Sequence, residues 1–164
     1  MSNRIATLHD PVRDFRDSCG FALLAHMDGE KSHWLVETTL ESLARLTHRG
    51  AVASDGKSGD GCGILLQFPE PFLREVAEEN DIRLTDRFAS GLVFFSPNEK
   101  MIRRGKKILN KHLERSALEI AGWREVPTCP EVVGKQALAS MPAIYQVFVN
   151  APAGWRSHDI ERQL

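Results

Sequence analysis

A chain of 164 residues, 42% hydrophobic and 26% charged, is long enough and apolar enough to bury a core, which excludes a disordered polyelectrolyte. A net charge of −1 gives no electrostatic ground for binding nucleic acid or an anionic membrane, and no apolar run is long enough to span a bilayer. The three cysteines, Cys19, Cys62 and Cys129, are too far apart for a disulfide framework, a zinc site or an iron–sulfur cluster, and no secretory h-region precedes them, so a cytoplasmic location is expected.

Residues 1–18 are charged, contain Pro11 and lack periodicity, which predicts an exposed leader. The apolar run Gly20–Met27 predicts a buried strand, and Asp28-Gly29 a turn, because glycine tolerates positive φ. Ser32 is a candidate N-cap for a helix over Ser32–Thr47, with Leu35, Val36, Thr39, Leu40, Leu43 and Leu46 at core-facing spacing and Gly50 past its end. Four glycines from Gly56 to Gly63 break regular structure, after which Ile64–Phe68 predicts a strand stopped by Pro69 and Pro71. A helix over Pro71–Asn80, a strand over Phe88–Phe95 and a helix over Asn98–Ala121 follow. The last helix carries a basic cluster from Lys100 to Arg115, read as a solvated face. Trp123–Val126 and Ala143–Asn150 complete the strands, joined by a proline-rich link.

Alternation of strands and helices by itself suggests a parallel α/β sheet. The glycine fingerprint argues otherwise: Gly59-Asp60-Gly61-Cys62-Gly63 runs into Ile64-Leu65-Leu66, a strand, leaving no helix N-terminus for a pyrophosphate. An EF-hand fails as well, since Lys57 and Gly59 fall where oxygen ligands are required. His26, His33 and His48 lack the pairing of a zinc-protease helix and read as structural or surface residues. Cys62 reads as a small buried residue at a strand start, and Cys129 as loop.

Cys19 sits where the polar leader stops and the apolar run begins. Cut before Cys19, the chain would carry a thiol and an α-amino group on one residue, and an α-amino pKa of ~7.7–8.0 makes that amine a usable base. One residue could then supply nucleophile and base. A cysteine–histidine dyad, or a plain structural cysteine, remain alternatives. Arg49 has two readings: compensation of a helix C-terminus, or a fixed cation for a carboxylate-bearing ligand.

Taken in order, Cys19-Gly20-Phe21, His48-Arg49-Gly50-Ala51, Gly59-Asp60-Gly61-Cys62-Gly63-Ile64-Leu65-Leu66-Gln67, Gly122–Pro127 and Phe148–Arg156 resemble the class II (N-terminal nucleophile) glutamine amidotransferase domain of glutamate synthase large subunits, closest to the bacterial NADPH-dependent type. The resemblance implies an α+β fold: a partial αββα sandwich of the N-terminal nucleophile hydrolase type, truncated at its C-terminal side. It implies a leader over 1–18 and the N-terminal part of the amidotransferase domain over 19–164. Glutamine is the implied substrate, Cys19 the nucleophile that forms a glutamyl thioester, and Arg49 a residue beside the glutamine pocket; the glycine loop would be scaffold. No cofactor is implied within this segment. FMN, a 3Fe-4S cluster and a small subunit bringing electrons from NADPH are implied for the complete enzyme, where ammonia passes to 2-oxoglutarate.

Two departures from the family pattern stand out. Ala22 replaces a glycine common after Cys-Gly-Phe, and no Asn-Gly pair, the family's oxyanion-hole element, occurs in the sequence. Missing oxyanion donors commonly cost ~10²–10³ in rate, so the isolated segment is expected to be inactive. Two other readings stand beside it: a non-catalytic truncated fragment or assembly module, and another class II amidotransferase. The stretch from Trp123 to Arg156 disfavours the latter.

Overall fold

The computed structural model describes residues 20–46, 50, 52–59, 61–152, 154 and 155, and the chain divides into two compact units, Met1–Leu65 and Leu66–Leu164.

In the first unit the expected strand over Gly20–Met27 does not form. An extended segment becomes a strand only when a neighbour takes its N–H and C=O groups, and no described residue pairs with this run. Phe21 consequently stays 93% exposed and Leu23 90%. The turn is present: Gly29, at φ 70°, donates its N–H to the His26 carbonyl at 3.1 Å. Ser32 caps α1 (His33–Arg45), its Oγ accepting from the Leu35 N–H at 3.4 Å. The helix ends at Arg45 with Leu46 as cap, so Gly50 is too far downstream to terminate it. None of its residues is fully buried. The expected strand over Ile64–Phe68 is also irregular, with Leu65 99% exposed.

The second unit holds the regular structure. Pro69 and Pro71 sit where a helix's first N–H groups need no partner, and α2 (Glu70–Glu79) starts there. It is followed by β1 (Phe88–Phe95), α3 (Glu99–Arg115), β2 (Glu119–Glu125), a 3₁₀ turn at Pro130–Val132, the short α4 (Lys135–Leu138) and β3 (Ala143–Asn150). The sheet order is β1-β3-β2, and β3 is antiparallel to both neighbours. The parallel sheet suggested by alternation is thus corrected. β1 and β2 do run parallel and are joined across α3, but β3 enters between them and supplies the ladder from the opposite direction.

The sheet divides two small cores. On one face Val147 and Val149 pack with Leu113 and Leu118, flanked by Val93, Leu109, Trp123 and Trp155. On the other, Phe148 and Phe88 pack with Leu73, Val76, Ala77 and Ile82. Gly122 admits this second core: a Cβ there would lie 2.7 Å from Ile82 Cγ1. Asn150, buried at the end of β3, fixes the loop before β1. Its Oδ1 accepts from the Thr85 N–H at 3.0 Å and its Nδ2 donates to the Arg83 carbonyl at 3.1 Å. Across α3, the Lys106 ammonium stands 3.6 Å from the Tyr145 ring centroid, and its burial there pulls its pKa below the ordinary lysine value, with Glu125 opposing.

The expected helix over Asn98–Ala121 is shortened, and the reason is its C-terminus. Ala117 takes φ 59°, its N–H donates to the Glu114 carbonyl and the Leu118 N–H to the Leu113 carbonyl, a Schellman stop without glycine. Ile120, expected on the helix, is therefore in β2. α2 ends the same way through Asp81 at φ 56°. Because alanine is strained in the left-handed region, Ala117→Gly should stabilise the second unit by about 0.5–1 kcal/mol. A urea unfolding midpoint that fails to rise would contradict this assignment of strain.

Candidate active site

Cys19 and Arg49, the two site residues expected from sequence, both lie outside the described residues, as do His48 and Asp60. Their flanks are described. Gly20, next to Cys19, opens the exposed run that ends at the His26 turn. His26 accepts the Glu30 N–H on Nδ1 at 3.4 Å, and its Nε2 lies 4.0 Å from Glu30 Oε2. His33 faces Glu37 across one turn of α1 at 3.5 Å. Both histidines are therefore engaged locally, as a surface or structural role requires.

Downstream of Arg49, residues 52–59 form a closed loop. Val52 and Gly59 make an antiparallel bridge, and the Ala53 N–H donates to the Ser58 carbonyl at 2.7 Å. Asp55 holds the tip: Oδ1 accepts from the N–H groups of Lys57 (3.0 Å) and Ser58 (2.7 Å), and Oδ2 accepts from Ser58 Oγ (2.6 Å). Gly56, at φ 69°, permits the reversal. This is an Asx turn, and it makes the loop a local scaffold. Sequence reading tests this loop only for calcium ligation, with Asp55 as first ligand, although Asp55-Gly56-Lys57-Ser58 carries the signal for such a turn.

Cys62 corrects an expectation. It is exposed, with no strand beginning beside it, and Cys129 is exposed in the link before the 3₁₀ turn. Among the described residues no three His, Cys, Asp or Glu side chains gather closely enough to hold a metal ion, and no helix is long and apolar enough to cross a membrane. A cavity of ≈ 390 Å³ in the second unit is lined by Arg74, Glu78, Asp81, Ile82, Arg83 and Leu84. It carries two basic and two acidic side chains, and none of the expected site residues lines it.

The family model described as Glutamine amidotransferases class-II matches residues 19–164, starting at Cys19. The ferredoxin-dependent glutamate synthase 1 of Arabidopsis thaliana is 33% identical over 98% of this chain and 10% of its own length. The glutamate synthase [NADPH] large chain of Bacillus subtilis is 35% identical over 90% of this chain and 10% of its own. The ferredoxin-dependent glutamate synthase of Cyanidium caldarium is 36% identical over 83% and 9%. The chain thus spans about a tenth of the length of these curated relatives.

Proposed function

This chain belongs to the class II glutamine amidotransferases, and from that premise we propose that it supplies the glutamine-hydrolysing part of a glutamate synthase. The observation that carries the reading is the family match that starts at Cys19 and runs to residue 164. In this proposal, removal of residues 1–18 frees the α-amino group of Cys19. The amine, through a water molecule, takes the thiol proton, and the thiolate attacks the side-chain amide carbon of glutamine. The tetrahedral intermediate collapses with loss of ammonia, whose extra proton comes from the ammonium of Cys19, leaving a glutamyl thioester. Water then adds to the thioester carbonyl, and glutamate and the free thiol return.

Arg49 is assigned to the glutamine pocket, where a guanidinium matches a carboxylate in bidentate geometry. The αββα sandwich of N-terminal nucleophile hydrolases is the assigned fold for residues 19–164, with the β1-β3-β2 sheet as one portion of it. As the resemblance implies for the complete enzyme, the proposal places FMN, the 3Fe-4S cluster and the step that joins ammonia to 2-oxoglutarate outside these residues. A small subunit delivering electrons from NADPH, and a cytoplasmic location, belong to the same proposal, supported by the Bacillus subtilis relative being an NADPH large chain.

The test is glutamine-dependent ammonia release by the polypeptide as the cell produces it. Arg49→Lys should raise KM for glutamine about 10–100-fold, the loss expected for one charge-assisted contact, with a smaller effect on kcat. An unchanged KM would remove Arg49 from the pocket. These 164 residues contain no Asn-Gly pair, so by themselves they should turn glutamine over at least ~10²-fold more slowly than that polypeptide. Equal rates would show that the oxyanion donors lie elsewhere in this sequence.

A further inference from the structure

The second unit is electrically polarised across its sheet. α3 carries seven Lys and Arg residues against Glu99 and Glu114. Arg103 pairs with Glu99 at 3.3 Å, but Lys100, Arg104, Lys107, Lys111 and Arg115 have no carboxylate within ion-pair distance among the described residues. At helical spacing these five follow one exposed stripe roughly 22 Å long. Like charges three and four residues apart on a helix repel, so the stripe is destabilising until an anionic surface covers it. Two apolar side chains, Met101 and Ile108, stand exposed along its edge.

α2 and its stop, Glu70 to Asp81, carry the opposite sign: five acids against Arg74, which is occupied by Glu70 at 2.8 Å. Glu75, Glu78 and Glu79 are exposed and unpaired among the described residues, and Phe72 lies exposed beside Glu75 and Glu79. α2 and α3 cover opposite faces of the same sheet, because Phe148 points to α2 while Val147 and Val149 point to α3. α2 therefore does not cover the α3 stripe of its own copy.

We propose that α2 of one copy docks on α3 of a second copy, Glu75 and Glu79 meeting Lys111, Arg104 and Arg115, with Phe72 against Ile108 and Met101. The two patches differ, so the contact is heterologous and propagates head to tail into rings or short open chains. It is also salt-sensitive, since exposed charges are screened over about a Debye length.

Sedimentation velocity of the polypeptide as the cell produces it tests this, with ammonia release and circular dichroism as controls for folding. The weight-average mass in about 50 mM NaCl should be roughly twice that in about 500 mM, by screening. The double variants Lys111→Glu/Arg115→Glu and Glu75→Lys/Glu79→Lys should each lose the salt-sensitive species. An equimolar mixture of the two should regain it, because each reversed helix then finds its complement. Salt-independent mass, or a mixture that stays dissociated while both variants are folded, overturns the proposal. So does a stripe that binds heparin, used as a polyanion probe, in a protein that never self-associates.

Discussion

Replacing Cys19 by alanine is expected to lower glutamine-dependent ammonia release by at least about 10³-fold, the scale on which loss of a covalent nucleophile is felt. The expectation rests on what one residue is asked to supply. The thiolate forms the bond to the amide carbon, so without sulfur no thioester exists and hydrolysis reverts to direct attack by water. Cys19→Ser is the sharper variant, since it keeps a nucleophilic atom and the α-amino group but offers a hydroxyl of far higher pKa. It should stay well below the native rate while binding glutamine normally. Cys62→Ser and Cys129→Ser should leave the rate unchanged, because both thiols are exposed and neither belongs to the proposed mechanism. If Cys19→Ala retained more than a tenth of the native rate with its fold intact, another residue would be the nucleophile.

Phe148→Ala is expected to destabilise the second unit by about 3–5 kcal/mol, the range for emptying a fully buried aromatic site. Phe148 is 0% exposed and is the one large side chain fully buried among the described residues. It sits on the central strand against Phe88, Leu73, Val76, Ala77 and Ile82, so truncation removes contacts from both β1 and α2. Small domains hold only about 5–15 kcal/mol in total, and the variant should lose much of its cooperative unfolding transition. Phe148→Leu, which keeps most of the volume, should cost less than about 1.5 kcal/mol. A chemical unfolding series gives the comparison. An alanine variant within 1 kcal/mol of native would mean that the α2 face is not a core.

The sequence announces these elements unevenly, and the differences have physical causes. β1 and β3 match the expected Phe88–Phe95 and Ala143–Asn150 residue for residue, since long apolar runs between turn signals find partners in one another. α1 is readable from Ser32, because a cap acts locally, and α2 lies one residue from the expected Pro71–Asn80. The end of α3 is hidden. Its stop uses Ala117 in the left-handed region, where sequence habit looks for glycine, and the hydrophobic period runs on into β2 without a break. The runs Gly20–Met27 and Ile64–Phe68 look like strands because apolar pattern reports a wish for burial, while a strand also requires a ladder that no described residue supplies. Antiparallel insertion of β3 was equally invisible, as pattern gives the elements and long-range pairing gives the order. At the candidate site the ordered motifs pointed to the family, which the family match bears out. Cys19 and Arg49 are legible only as members of those motifs, because their own neighbours mark neither a nucleophile nor a pocket cation.

In the proposed mechanism Cys19 becomes the N-terminal residue and takes the glutamyl group. Intact-mass and peptide mass spectrometry of the purified protein, before and after 6-diazo-5-oxo-norleucine, a glutamine analogue that alkylates active thiols, tests it most directly. The expected result is a chain that starts at Cys19, with the adduct on that residue and none on Cys62 or Cys129. A protein that hydrolyses glutamine while retaining residues 1–18, or that carries the adduct on another cysteine, would contradict it.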